Sequence, residues 1–112
     1  MPKRRLSAKE KEVLTERISE ILKAKNYIVF AYIFGSFVSE DGFKDVDIAV
    51  FTSSVESESP LKLELTLEGE IGFAIHIPVD IRIINDAPVS FIYNVLKRGI
   101  VIVDNNKSLR SD

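Results

Sequence analysis

Three aspartates carry most of the chemistry this sequence offers. Asp45 and Asp47 stand one residue apart at the start of an apolar run, Asp45-Val46-Asp47-Ile48-Ala49-Val50. If that run is a strand, the two side chains leave one face, about 6.6 Å apart along the chain, while Val46 points into a core. Two hard oxygen donors so placed can clamp one divalent ion. Magnesium suits them, since it takes one or two protein carboxylates and fills its shell with phosphate oxygens and water. Asp80 interrupts a second apolar run, Ile77-Pro78-Val79-Asp80-Ile81-Arg82-Ile83-Ile84. A lone carboxylate there is costly unless it is paired or metal-bound. Arg82 shares its face and can pair with it, or can equally hold a phosphate. Spacing alone leaves Asp80 open between the arginine and a third place in a metal shell.

A phosphate-holding turn accompanies the acidic residues. Gly35-Ser36 ends the run Tyr27–Phe34, joining a residue that permits unusual dihedrals and close backbone approach to a hydroxyl. Backbone N–H groups at such a turn can cradle a phosphate. Gly-Ser alone is a common turn, and an Asp-x-Asp pair alone is often only solvated. Their combination is the informative feature: a buried strand, Gly-Ser, a short polar loop, Asp-x-Asp opening a second strand, then a later strand with a single aspartate. His76, the only histidine, lies between Ile75 and Ile77 and reads as a packed or edge residue rather than a ligand.

The elements that must hold these residues can be read along the chain. Ser7 and Glu10 have capping-box spacing, and Leu14, Ile18, Ile21 and Leu22 recur at helical intervals, which predicts a helix from about Ala8 to Lys25. Asn26 would end it in a left-handed conformation. Tyr27–Phe34 reads as a strand buried on both faces, and Asp45–Thr52 as a second strand beyond the polar stretch Ser39–Gly42. Ser59-Pro60 is an N-cap followed by proline at the first helical position. Leu63, Leu67, Ile71 and Ala74 continue that helix, against the strand-like alternation of Leu61, Leu63, Leu65 and Leu67 and two weakening glycines. Val79–Ile84 is a third strand, Asn85–Pro88 a turn opening a short helix that ends near Gly99, and Ile100–Val103 a fourth strand. Phe91, Ile92, Val95 and Leu96 form the core stripe of that short helix, with Tyr93 off it and available to a partner. The expected fold is an α/β (α+β) sandwich: one mixed sheet of about four strands with helices packed on it, in a single domain spanning 1–112, with flexible tails at 1–6 and 105–112.

Bulk properties narrow the functional classes. A chain of 112 residues supports about one core. A net charge of −2 and a pI near 5.5 give no electrostatic reason for avid binding to nucleic acid or anionic membranes. With no cysteine, thiol catalysis and thiolate metal sites are excluded. No apolar run approaches the roughly 20 residues of a membrane span, and the start of the chain lacks a secretory pattern, so a cytoplasmic location is expected. The basic stretch Pro2–Arg5 reads as a solvated terminus.

Phe34-Gly35-Ser36, Asp45-Val46-Asp47-Ile48-Ala49-Val50 and the closing Leu96-Lys97-Arg98-Gly99-Ile100-Val101-Ile102-Val103 resemble the DNA polymerase β-like nucleotidyltransferase superfamily, and within it the minimal nucleotidyltransferases (MNT). The resemblance covers nearly the whole chain. It implies the polymerase β-like fold and a triad, Asp45, Asp47 and Asp80, holding two Mg2+ ions. It also implies that Gly35 and Ser36 grip the triphosphate of ATP or another nucleoside triphosphate. It further implies an antitoxin that pairs with a HEPN-domain ribonuclease toxin and transfers AMP to a toxin hydroxyl. Three crowded carboxylates repel one another, so metal binding and ionisation should be coupled and activity should fall in acid.

One departure bears on activity. Many members follow Gly-Ser with an arginine-glycine pair that holds the triphosphate, whereas this loop reads Phe37-Val38-Ser39-Glu40-Asp41-Gly42-Phe43-Lys44. Glu40 and Asp41 place negative charge near the phosphate turn, with Lys44 a partial substitute. This sets a second reading beside the first: an antitoxin that neutralises its partner by occlusion, with little turnover. Transfer to a small molecule is a third reading, disfavoured because no acceptor-binding domain is evident.

Overall fold

The computed structural model describes residues 3–53 and 59–105. The elements in chain order are β1 (Arg4–Arg5), α1 (Ala8–Lys23), β2 (Ile28–Phe34), α2 (Ser36–Ser39), β3 (Gly42–Phe43), β4 (Val46–Thr52), α3 (Pro60–Ile75), β5 (Val79–Ile83), α4 (Val89–Arg98) and β6 (Ile100–Asp104). Four strands form the main sheet in the order β5-β4-β2-β6, with β2 antiparallel to both β4 and β6 and β5 parallel to β4. The mixed α/β architecture expected from the sequence is the one observed.

Side-chain alternation divides the sheet into two faces. On β4, Val46, Ile48 and Val50 join Ile33 of β2, Ile18 and Leu22 of α1, and Leu63, Leu67 and Ile71 of α3 in the principal core. The opposite face gathers Ala49, Tyr32 and Phe34 under Val95, Phe91 and Ile92 of α4. Strand β2 is therefore deeply buried on one face and only half-buried on the other, rather than sealed on both.

Local signals explain most boundaries. Ser7 Oγ accepts from Glu10 N–H at 3.1 Å while Ser7 N–H donates to Glu10 Oε1 at 2.8 Å, completing the capping box of α1. That helix stops at an ordinary right-handed Ala24, so Asn26 does not supply the left-handed stop expected of it. The left-handed residue is instead His76, which caps α3 at φ 58° with its N–H bonded to Gly72 O. His76 is exposed, which fits the edge rather than the packed alternative: the reversal into the short link before Pro78 leaves the ring at the surface. Ser59 accepts from Lys62 N–H at 3.2 Å with Pro60 beginning α3, as its sequence indicates.

Strand β5 is an edge, yet its outward N–H groups are not left open. Ile81 N–H donates to Glu68 Oε2 at 2.8 Å and Ile83 N–H to Glu64 Oε2 at 2.9 Å, so two α3 glutamates take the place of a neighbouring strand. At the start of β6, a Cβ on Gly99 would meet Val95 O at 2.6 Å and Ile33 O at 3.0 Å, so glycine is what lets α4 turn tightly back onto β2.

Residues near the beginning are not the frayed tail expected. Arg4 and Arg5 pair with Phe43 and Gly42, and Arg4 donates to Lys44 O at 3.0 Å. The polar connection expected after Thr52 falls largely at 54–58, outside the described residues, as does 106–112 of the expected tail. Asn105 is anchored, its N–H bonded to Val29 O and its side chain to Ile28 O. No helix among the described residues is long and apolar enough to cross a membrane.

Candidate functional site

Register places the acidic residues together. Asp47 lies opposite Phe34 on antiparallel β2 and opposite Asp80 on parallel β5, so neighbouring strands present two carboxylates on the α4 face. Asp45 stands just ahead of β4 rather than within it. The strand spacing reasoned for the Asp45–Asp47 pair therefore does not strictly apply, although Asp45 remains near enough for its charge to act on Asp47.

Gly35 supplies the wall against which this cluster rests. Its φ of 79° and ψ of −158° fall in a region open essentially to glycine alone. A Cβ built there would collide with Asp47 Oδ2 and lie 3.3 Å from Asp47 Cγ. The glycine is thus required twice, for its backbone and for the carboxylate packed on it. Ser36 and Phe37 begin α2, and their N–H groups have no acceptor within the helix. Ser39 Oγ turns back to donate to Gly35 O at 3.2 Å.

The electrostatics show a site short of positive charge. The Asp47 carboxyl is pushed up to about 6 from 3.8, first by burial, then by the negative charges of Asp45 and Asp80, with Arg82 opposing. Arg82 Nε sits 3.8 Å from Asp80 Oδ2 and its guanidinium lies 5.9 Å from the centre of the Phe91 ring. The arginine that sequence spacing offered as Asp80's partner is therefore beside it, while Asp80 is also in register with Asp47. Among the described residues no three Asp, Glu or His side chains converge as a ready-made metal shell. Mutual repulsion holds unneutralised carboxylates apart, and a cation would favour their approach. Oxygen-only donors, with Asp47 holding its proton tightly through burial and then through the charges of Asp45 and Asp80, suit a hard divalent ion.

Of the phosphate-binding candidates, Gly35 and Ser36 lie at the site and Arg82 at its edge. Lys44 is exposed, uses its carbonyl to accept from Arg4, and does not line the cavity beside Gly35. The loop acids are partly accounted for: Glu40 pairs with Lys3 at 3.6 Å, while Asp41 is exposed.

A cavity of about 280 Å³ opens beside Gly35, lined by Phe34, Ser39, Phe91, Asn94 and Arg98. The Phe34 and Phe91 rings meet edge to face with centroids 5.7 Å apart. Neither this cavity nor a larger hollow of about 410 Å³ near Lys11, Thr15 and Phe37 is lined by an aspartate, but only the smaller one is lined by Gly35, against which Asp47 packs. Sequence reasoning did not single out Asn94 and Arg98. Their signal was the helical interval of Phe91, Asn94, Val95 and Arg98, which puts all four toward one side of α4.

The Polymerase beta, Nucleotidyltransferase family profile matches residues 16–108. No curated protein sequence is a significant match. Among solved structures, the fold is similar to a tri-AMPylated Shewanella oneidensis HEPN toxin in complex with MNT antitoxin. That match has a TM-score of 0.67 and 18% identity, and covers 89% of this chain and 77% of that one. The toxin–antitoxin complex MntA-HepT is similar at TM-score 0.66 and 17% identity, over 87% of this chain and 75% of the other. A toxin–antitoxin structure with AMP-PNP is similar at TM-score 0.61 and 17% identity, over 91% and 77% of the two chains.

Proposed function

The chain belongs to the polymerase beta nucleotidyltransferase family, and from that premise we propose that it transfers a nucleoside monophosphate, AMP from ATP, to a hydroxyl on a HEPN-domain partner as the antitoxin of a toxin–antitoxin pair. The observation that carries this reading is the alignment of Asp47 with Asp80 on neighbouring strands, with Asp45 near enough for its charge to act on Asp47 and Gly35 packed against the Asp47 carboxylate. Solved relatives of the same fold include an MNT antitoxin with an AMPylated HEPN toxin, which supports the choice of acceptor and nucleotide.

Asp45, Asp47 and Asp80 would hold the magnesium ions. When bound, such ions neutralise charge on the triphosphate and favour loss of the acceptor proton. The residues of the chain do the positioning. Gly35 keeps the backbone close to the carboxylates, so that phosphates lying over the turn stand next to them. The Ser36 hydroxyl and backbone N–H offer donors to non-bridging oxygens. Arg82, beside Asp80, balances part of the local negative charge. The acceptor oxygen bonds to the α-phosphorus, the bond to the β-phosphate oxygen breaks, pyrophosphate departs and the hydroxyl proton is released.

A second reading rests on the loop Phe37–Lys44, which lacks the basic residue many family members carry after Gly-Ser. On this reading the protein silences its partner by covering it, with little transfer. Incubating the protein and its purified HEPN partner with labelled ATP and magnesium separates the two. Transfer of label to the partner, lost in Asp45→Asn and Asp47→Asn, is the expected result. A wild type that binds and silences the partner yet transfers no label overturns the catalytic reading in favour of occlusion.

A further inference from the structure

We propose that Arg98 at the end of α4, assisted by Asn94, binds the phosphate tail of the nucleotide and supplies the positive charge that the loop after Gly35-Ser36, whose Lys44 does not line the cavity, does not bring there. The inference rests on the nucleotide reading above and names a binding residue for it.

The cavity beside Gly35 shares that glycine with the carboxylate cluster, so a chain of phosphates crossing the turn from the aspartates enters it directly. Arg98 is the one charged side chain among its lining residues. Neither its guanidinium nor the Asn94 amide is engaged in a hydrogen bond or ion pair among the described residues.

Neighbouring cations are committed elsewhere. Lys11 donates to Phe37 O at 2.7 Å and Glu40 O at 3.1 Å, Lys97 lies over the Tyr93 ring, and Arg82 sits beside Asp80. A triphosphate entering beside three carboxylates and a loop bearing Glu40 and Asp41 needs a positive counterpart. Arg98 lines the cavity that adjoins the turn, with a planar fork matched to phosphate oxygens. The Phe34 and Phe91 rings, packed edge to face, form part of its wall.

The alternative role for Arg98 is purely helical: a cation in the last turn stabilises the helix carbonyl end whether or not a ligand is present. Calorimetric titration of the full chain with Mg·ATP and with AMP, comparing wild type, Arg98→Gln and Arg98→Lys, separates these. Loss of a charge-assisted contact to the tail should weaken Mg·ATP binding about tenfold to a hundredfold in Arg98→Gln, with AMP binding changed much less. Arg98→Lys should recover part of the loss, and Arg98→Gln should flatten the salt dependence of Mg·ATP binding. Equal affinities of wild type and Arg98→Gln for Mg·ATP overturn the assignment, as does an equal loss for both nucleotides. A wild type that binds neither nucleotide overturns the parent reading too, and is told apart because the failure then precedes any substitution.

Discussion

Gly35→Ala tests the central geometric claim, that one glycine both shapes the turn and makes room for the Asp47 carboxylate. Two separable costs are expected. A non-glycine residue at φ 79°, ψ −158° carries about 1–3 kcal/mol of backbone strain. The new Cβ also collides with Asp47 Oδ2, driving that side chain off its rotamer at about 0.5–1.5 kcal/mol. Together they give a destabilisation of about 2–4 kcal/mol, read from urea unfolding with chelator present. A double-mutant cycle with Asp47→Ala isolates the second part. Only the carboxylate is removed, the remaining Asp47 Cβ contact of 3.5 Å is ordinary, and Gly35→Ala should then cost about 1 kcal/mol less than in the wild type. A loss below about 0.5 kcal/mol for Gly35→Ala alone would refute the strained turn, since strain of this kind costs at least about twice that. Costs that simply add in the double variant would refute the contact with Asp47.

The pH dependence of the metal-free protein should also report on Asp47. Its carboxyl is raised to about 6 in the fold, from 3.8, so the folded state binds the proton more tightly. This group's protonation therefore favours folding, and stability should decline as pH rises from about 4 to 6 and then level. The unscreened limit for such a shift is about 3 kcal/mol, and solvent screening of a half-exposed group reduces it to about 1 kcal/mol. Urea midpoints between pH 4 and 7 in chelator should show that decline in the wild type and lack most of it in Asp47→Asn; the same decline in the variant would assign it elsewhere. At the sheet edge, Glu64→Ala or Glu68→Ala should each cost about 1–2 kcal/mol by stranding a part-buried N–H group. Amide exchange at Ile83 or Ile81 respectively should accelerate, and unchanged exchange would show that the glutamates do not protect the edge.

Much of the fold was legible because its signals are local. Ser7 with Glu10 and Ser59 with Pro60 satisfy backbone requirements within a few residues, so the corresponding helix starts fall where their sequence places them. Errors arose where local preference competes with tertiary packing. Asn26 and His76 can both adopt a left-handed conformation, and only the link from α3 into β5 decides that His76 does so. Arg4 and Arg5 have no strand signal of their own, and become one by pairing across to Gly42 and Phe43.

For the site, residue types and their order along the chain were enough to name the kind of chemistry: an apolar strand ending in Gly35-Ser36, the acidic pair Asp45 and Asp47, and a single Asp80 within a later apolar run. Residue type fixes which atoms can ligate or donate, and periodicity fixes which share a face. That Asp80 aligns with Asp47 across parallel strands while Arg82 stands beside it follows from the folded sheet alone. Neither could it be read along the chain that Gly35 has no space for a side chain because Asp47 fills it, or that Arg98 turns toward the cavity beside that glycine. Strand register and helix placement bring together residues dozens of positions apart, and the packing that fixes them is distributed over the whole core.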